Sequence, residues 1–162
     1  MRSLAQAATA ALCVLPENPS DAHAVDALVE AAFGPGRYAK TAERLREGSE
    51  AVAGFCAHQD GRLVGTVRLW PILIGETHAL FLGPIAVAGD LRSEGVGQAL
   101  MLAALAWADE ARSGGVLLVG DTPYFGRFGF ERAEGVDMPG PVNPARLLWR
   151  GADQPKGRVA SA

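Results

Sequence analysis

The sequence predicts a single α/β domain, and three observations support this fold class. Residues 22–33 carry apolar side chains at helical spacing, which predicts an amphipathic helix. Residues 52–58 and 63–74 flank an Asp-Gly pair, which is a strong signal for a tight hairpin turn between two strands. A nearly continuous apolar strand at 79–87 precedes a glycine-containing turn and a long apolar helix. The chain of 162 residues has the length of one ordinary domain.

The N-terminal part predicts one strand and two helices. A short apolar run at 12–15 ends at a proline and predicts the first strand. A Pro-Ser-Asp sequence follows, with Ser20 or Asp21 as the expected N-cap of the helix at 22–33. A Gly-Pro-Gly sequence ends that helix, and a shorter helix is predicted at 39–46.

The next three strands are predicted at 52–58, 63–74 and 79–87. Pro71 interrupts the second of them, which indicates a sheet edge or a bulge, because proline cannot donate to a strand ladder. The third strand is almost entirely apolar, which is typical of a strand buried on both faces.

The C-terminal half begins with a helix from about 97 to 112 that is apolar on most of its circumference, so we expect it to pack against the sheet. Strands are predicted at 116–119, 130–134 and 147–150, with a short turn or helix at 124–128. The polar tail from residue 153 onward is expected to be loose. With neither repeat nor linker, the prediction is one domain with a core of about residues 12–151.

Composition and charge narrow the classes of function. The net charge of −3 and the lack of a basic stripe argue against nucleic-acid binding. No apolar run approaches the roughly 20 residues of a membrane span, and we interpret the alanine-rich start of the chain as a loose leader or fraying helix of a cytoplasmic protein. Cys13 and Cys56 are expected to be free, buried thiols. Neither they nor the histidines have metal-ligand spacing, so no metal site is predicted.

The turn after the strand at 79–87 predicts an anion site. A helix N-terminus offers unpaired N–H groups and a partial positive charge. Gly95 and Gly97 let a ligand approach the backbone closely, and Arg92 adds a full positive charge. This combination suits a pyrophosphate.

Two common pyrophosphate motifs do not fit. The dinucleotide fingerprint needs a glycine or alanine where Leu100 stands, and the chain has no G-K-[ST] sequence. The remaining pattern, Arg92-x-x-Gly95-x-Gly97, is that of an acyl-CoA pyrophosphate loop. The alternative at this stage is a glycine-containing turn that binds no ligand.

A longer series of motifs carries a resemblance to a known family. In order, these are L-G-P-I-A-V at 82–87, the R-x-x-G-x-G loop, the apolar helix, V-L-L-V-G-D at 116–121 and Y-F-G-R-F-G-F at 124–130. Together they resemble the core of a GNAT acetyltransferase, and most closely a subgroup of small bacterial predicted acetyltransferases. The resemblance is strong from 82 to 130 and looser over the N-terminal helices.

The resemblance implies a GNAT-like fold and acetyl-CoA as cosubstrate, with no metal. The fold would be a mixed, mostly antiparallel sheet of six or seven strands with helices on both faces and a V-shaped opening beside the strand that ends at Val87. The family's pantetheine contacts correspond here to Ile85, Ala86 and Val87, and Phe125 would lie beside the cofactor. The phosphate-binding residues would be Arg92, Ser93, Glu94, Gly95, Val96, Gly97 and Gln98.

The implied chemistry is direct attack by an amine on the thioester in a ternary complex. The family's usual acid is a tyrosine at the position of Phe125, which cannot donate a proton, and Tyr124 is the alternative acid. Glu76 or His78 could be the base, or either could be a solvated turn residue. Asp121 could touch the substrate, although N-capping of the next turn is the simpler interpretation.

The acceptor, a small-molecule or peptide amine, would bind between residues 33–46 and 138–143, with Arg37, Tyr38 and Lys40 as candidate contacts. Family members are often dimers, so a homodimer is compatible with the resemblance. Because Phe125 replaces the acid, a non-catalytic acyl-CoA-binding sensor or partner module is the alternative function. A third hypothesis is an α/β domain whose glycine loop binds nothing. A serine hydrolase is not expected, because the chain has no G-x-S-x-G sequence.

Overall fold

The computed structural model of the chain describes residues 11–92 and 94–162, without the side chain of Tyr38. The first ten residues, which hold most of the predicted leader, lie outside the described residues. So do Ser93 of the predicted phosphate loop and the side chain of Tyr38.

The described residues form a mixed, mostly antiparallel sheet in the order β1-β2-β3-β4-β5-β8-β6. β9 pairs with β3 and with β7, and the parallel pairs are β4–β5 and β7–β9. The strands are β1 Cys13–Pro16, β2 Ala53–Gln59, β3 Arg62–Ile74, β4 Thr77–Val87, β5 Val116–Val119, β6 Glu131–Arg132, β7 Gly135–Asp137, β8 Leu147–Arg150 and β9 Lys156–Ser161.

Four α-helices accompany the sheet: α1 Ala22–Phe33, α2 Thr41–Arg46, α3 Val96–Glu110 and α4 Thr122–Phe125. None of the helices in the described ranges is long and apolar enough to cross a membrane. The expected N-cap at the start of α1 is wrong in detail. Asp21 occupies that position without capping, and Asn18 instead caps a preceding 3-10 turn by accepting a hydrogen bond from the Ser20 N–H.

Helices pack on both faces of the sheet, because successive side chains of a strand point to opposite faces. Leu80 and Leu82 of β4 pack in the apolar cluster of α3. Ala79 and Phe81 lie in the cluster that contains Leu45 of α2. α1 packs on the same face of the sheet as α2, nearer the C-terminal end of β4, where its Val25 and Val29 contact Ala86. The predicted GNAT-like fold, a mixed and mostly antiparallel sheet with helices on both faces, is therefore confirmed. The expected number of six or seven strands is wrong, because the described residues form nine, and the short β7 and the C-terminal β9 were not predicted.

The C-terminal tail is ordered into β9, so the prediction of a loose tail is wrong. β3 is longer than β2, which pairs with β3 only as far as Leu69. Ile72 to Ile74 would therefore lack a partner on that edge, and β9 pairs with them. Val159 of β9 is only 2% exposed, so this strand contributes a side chain to the core. Pro71 lies in the gap between β2 and β9, where no ladder N–H is needed, in agreement with its interpretation as an edge residue.

The two cysteines differ in environment, so the expectation of two buried thiols is wrong for one of them. Cys13 is exposed, whereas Cys56 is buried between the sheet and α1. Burial is the main cause that raises the pKa of the Cys56 thiol to about 11.

Adjacent residues of β9 provide a direct test of its packing. We expect Val159→Asp to lower the free energy of unfolding by about 3–5 kcal/mol, because it places an uncompensated charge in the core. The matched control Ala160→Asp puts the same carboxylate on the exposed face and should change it by no more than about 1 kcal/mol. Urea unfolding of both variants measures the difference, and equal effects would mean that the tail does not pack.

Candidate functional site

The central feature of the site is the separation of β4 from β5. The two strands pair in parallel only at Leu80 with Val116 and at Phe81 with Leu117. β4 then continues to Val87, and in the described part of the chain no other strand takes the place of β5 beside it. The result is the V-shaped opening that the resemblance implies.

Two hydrogen bonds show which way the backbone groups of β4 point. The Leu80 N–H donates to the Gly115 carbonyl at 3.0 Å, on the β5 side. The Ala88 N–H donates to the Val64 carbonyl at 2.8 Å, on the β3 side. Along a strand, the N–H and C=O groups of successive residues alternate between the two sides.

This alternation directs the N–H and C=O groups of Ile85 and Val87 into the opening. Ala86 lies between them, with its backbone groups toward β3 and its side chain buried in the cluster of α1. The two residues that face the opening thus offer strand-like donors and acceptors without a strand to receive them.

A bulge bends β4 next to the opening. The register shifts between Val67 and Leu69, so that Gly83 and Pro84 together lie opposite the single residue Arg68. Gly83 has a φ of 141°, in the region that favours glycine. Its carbonyl accepts a hydrogen bond from the indole N–H of Trp70. The bulge turns the last residues of β4 away from the line of β5.

The N-terminus of α3 lies beside the end of β4. Gly95 adopts a left-handed conformation with φ of 82°, and the first helical hydrogen bond runs from the Ala99 N–H to the Gly95 carbonyl. The N–H groups of Val96, Gly97 and Gln98 therefore have no acceptor within the helix. The Val96 side chain is buried, whereas the neighbouring Arg92, Glu94 and Gln98 are exposed.

The side chain of Tyr124, on α4, approaches Gly97 closely. A Cβ atom at this position would lie 2.9 Å from the Tyr124 hydroxyl and 3.9 Å from a methyl group of Val87. Tyr124 thus extends from α4 across the opening to the first turn of α3.

The aromatic residues of the turn after β5 form one packed group. The ring of Phe125 lies edge-on to that of Tyr124 at 4.9 Å and to that of Phe130 at 6.1 Å. Phe125 also packs against Gly120 and joins the apolar cluster of α3. The position that holds an acid in the family is thus occupied here by an anchored apolar ring, which also lines the opening.

A cleft with a volume of about 330 Å³ lies at the opening and is lined by residues from both faces of the sheet. On the side of α3 and α4, it is lined by Leu82, Ile85, Leu118, Tyr124 and Phe125. On the side of α1 and α2, which we call the α2 side, it is lined by Phe33, Arg37, Lys40, Ala42, Glu43, Arg46 and Phe81.

The α2 side contains a nearly buried arginine that is held by one carboxylate. Arg46 donates from Nη2 to Glu43 at 2.8 Å, and their side chains are 10% and 16% exposed. Arg37 lies 3.6 Å from the same carboxylate. Burial is the main cause that lowers the pKa of Arg46, and the hydrogen bond that Arg46 donates to Glu43 opposes this shift.

Asp121 and Arg146 form an ion pair at the β5 wall of the cleft. The two side chains approach to 3.1 Å, and that of Asp121 is 73% exposed. Asp121 occupies the N-cap position of α4, but its side chain makes no capping hydrogen bond, so the capping interpretation is wrong.

The structure does not bring every candidate residue to the cleft. Glu76 and His78 are exposed at the start of β4, the opposite end from the opening. The loop at 138–143 packs on α2, where the Pro141 carbonyl accepts a hydrogen bond from Thr41, and does not line the cleft. Arg37 and Lys40 do line it.

Three charged lining residues, Glu43, Arg46 and Arg146, were not singled out from the sequence. The i, i+3 spacing of Glu43 and Arg46 is one that allows an ion pair on a helix face, but nothing local in the sequence indicates that this face covers the opening. Within 11–92 and 94–162, no group of three or more His, Cys, Asp or Glu side chains could hold a metal ion.

Comparison with known proteins gives a consistent result. Residues 22–130 match the model of the acetyltransferase (GNAT) family. Over 140 residues the chain is 30% identical to a protein of Escherichia coli strain K12 named as the uncharacterized N-acetyltransferase YhbS, which covers 85% of this chain and 80% of that protein.

Solved structures agree with this match. The structure of YhbS from Escherichia coli in complex with CoA superimposes with a TM-score of 0.79 at 26% identity, covering 94% of this chain and 91% of that one. A GNAT family acetyltransferase from Brucella melitensis in complex with acetyl-CoA gives a TM-score of 0.74 at 29% identity, covering 94% and 96%.

Removing the carboxylate that holds Arg46 should destabilise the protein. We expect Glu43→Gln to lower the free energy of unfolding by about 1.5–3 kcal/mol, the usual contribution of a hydrogen bond to a charged group. The control Glu47→Gln, at an exposed residue of the same segment, should change it by no more than about 0.5 kcal/mol. Urea unfolding distinguishes the two, and an unchanged Glu43→Gln would show that Arg46 does not depend on this partner.

Proposed function

The chain belongs to the GNAT family of acetyltransferases, and we propose that it transfers an acetyl group from acetyl-CoA to an amine by direct attack in a ternary complex. One observation carries this proposal. The unpaired backbone groups of Ile85 and Val87 line an opening that lies next to the free N–H groups of the α3 N-terminus. A pantetheine arm and a pyrophosphate need these two kinds of site, and here they are adjacent.

The cofactor would bind as an added strand. Its amide groups would pair with the carbonyl of Ile85 and with the backbone of Val87, and its phosphates would accept hydrogen bonds from the N–H groups of Val96, Gly97 and Gln98. Arg92, exposed beside them, would add charge. The complexes of the Escherichia coli and Brucella melitensis proteins with CoA and acetyl-CoA support this assignment.

The reaction forms a C–N bond and breaks the C–S bond of the thioester. The neutral amine attacks the carbonyl carbon, and the backbone N–H of Ile85 would stabilise the negative charge that develops on the carbonyl oxygen. CoA leaves as a thiolate, which then takes up a proton. The attacking amine loses a proton to water in the cleft. Holding both reactants in one cleft supplies much of the acceleration.

We assign Tyr124 as the proton donor to the thiolate. It carries the only hydroxyl among the described residues that line the cleft, and it reaches from α4 to Gly97 across the opening. Phe125, at the family's usual acid position, is held by Gly120 and Phe130 and has no proton to give. Glu76 stays a prediction from the sequence, because it makes no contact with the cleft.

Phe125 also favours the second candidate function, a non-catalytic module that binds acyl-CoA. Such a module would bind acetyl-CoA through the same backbone groups and release no free CoA with any amine. Turnover with a panel of amines, measured as the release of the CoA thiol, separates the two functions.

The binding of acetyl-CoA by isothermal titration calorimetry tests the proposed site. We expect the wild type to bind and Gly97→Ala to bind at least about tenfold more weakly, because the added methyl group meets Tyr124 and narrows the path to the phosphate-binding amides. Helix stability should not suffer, since alanine is the better helix former.

Gly36→Ala is the control, because a Cβ there meets nothing within 4 Å and the residue lies outside the cleft. If the two variants bind acetyl-CoA with equal affinity, the first turn of α3 is not part of the binding site. The absence of acetyl-CoA binding by the wild type would refute the proposed function.

Tyr124→Phe tests the proton donor. We expect kcat to fall about 100-fold, a typical contribution of general acid catalysis, with the affinity for acetyl-CoA changed by less than about threefold. Steady-state kinetics and calorimetry on the same preparation measure both quantities. If kcat is unchanged, the thiolate leaves without help from this hydroxyl.

A further inference from the structure

The charge of the cleft is opposite in sign to that of the chain. The chain has a net charge of −3. The cleft, however, is lined by four cationic and two anionic side chains, so it carries an excess of positive charge. They are Arg37, Lys40, Arg46 and Arg146, with Glu43 and Asp121.

Arg46 is the best-placed of these cations. Its guanidinium lies 5.8 Å from the centre of the Phe81 ring, and Nη1 is 3.2 Å from the point where a Cβ of Gly83 would lie. A guanidinium has five N–H donors. In the described part of the chain, one hydrogen bond from Arg46 to a protein acceptor is present, the one to Glu43.

The counter-charge around Arg46 is incomplete. Glu43 is shared with Arg37, which also lies 3.7 Å from Glu30, and Lys40 at the same wall makes no ion pair within the described residues. A charge with so little exposed surface is normally balanced by partners, because burial without them is costly. A ligand oxyanion on the remaining donors of Arg46 would complete the balance.

The ligand oxyanion expected beside Arg46 differs from the pyrophosphate of the cofactor, because the two sites lie on different faces of the sheet. Arg46 lies over Phe81, which points to the face of α2, whereas Leu80 and Leu82 point to the face of α3. The α3 N-terminus and the cationic wall are thus on opposite faces of the sheet.

We propose that the acceptor is a small amine that also carries a carboxylate or phosphate group, and that Arg46, assisted by Lys40, binds that group. This inference rests on the proposed function. A guanidinium fork matches both oxyanions in shape. Gly83, beside Arg46, is two residues from Ile85, or about 7 Å along the strand. That distance suits an acceptor with only a few bonds between its amine and its anion, such as a free amino acid.

Matched pairs of amines test the proposal. Calorimetry on the CoA-loaded protein compares free amino acids with their amides, and phosphoethanolamine with ethanolamine. We expect the anionic member of at least one pair to bind at least about tenfold more tightly than its neutral partner. The responding pair distinguishes carboxylate from phosphate. If no anionic member binds, or if neutral members bind as tightly, the proposal is overturned.

Variants test whether Arg46 causes the preference for the anionic amine. We expect Arg46→Gln to abolish the difference between the members of the responding pair. Arg44→Gln, at an exposed residue of α2 outside the cleft, should preserve it. If Arg46→Gln fails to fold, Lys40→Gln is the alternative variant, because Lys40 is exposed and its replacement should not disturb the fold. We expect Lys40→Gln to reduce the preference for the anionic amine at least about threefold. An unchanged preference in both cleft variants would overturn the proposal.

The acetyl-CoA titration keeps the two hypotheses distinguishable. A protein that does not bind acetyl-CoA refutes the proposed function itself. A protein that binds acetyl-CoA and acetylates neutral amines as efficiently as their anionic partners refutes only the inference about the acceptor.

Discussion

The separation of β4 from β5 after two residue pairs is the constraint on which the rest of the site depends. Buried backbone N–H and C=O groups need partners, so two strands that stop pairing inside a sheet leave a demand for hydrogen bonds that water or a ligand must meet. The bulge at Gly83 and Pro84 and the short β5 produce this separation. The apolar layers of α3 and α2 keep the sheet intact around it.

The two faces of the opening offer different electrostatics. On the α3 side, the attraction for an anion comes from backbone N–H groups and the helix dipole, which need no charged side chain. On the α2 side, it comes from a guanidinium held nearly out of water by Glu43 and Phe81. A backbone site tolerates sequence change, whereas a side-chain site depends on a few residues. Specificity for the acceptor is therefore expected to vary more readily than affinity for the cofactor.

The parts of the fold that the sequence predicted are those with local signals. Helix α1, the hairpin of β2 and β3 and the unit from β4 to β5 follow from periodicity, a tight turn and the glycines 95 and 97. β9 was missed because its partners, Ile72 to Ile74, are far away in the chain and its own sequence has one buried apolar residue, Val159.

The same limit applies to the site. The phosphate loop could be predicted because it is a single segment with a recognisable motif. The charge of the α2 side could not be predicted, because it depends on where α1 and α2 come to lie relative to β4. The net charge of the whole chain has the opposite sign, since most of its acidic residues lie elsewhere.

The cleft is lined from both faces of the sheet. On the proposed function, the cofactor would enter beside α3 and α4, and the acceptor would enter beside α1 and α2. Neither ligand would then have to leave before the other could exchange, so the order of arrival and departure would be set by affinities rather than by obstruction. The two substrates would therefore enter from opposite faces of the sheet, and the thioester and the amine would meet only in the opening between β4 and β5.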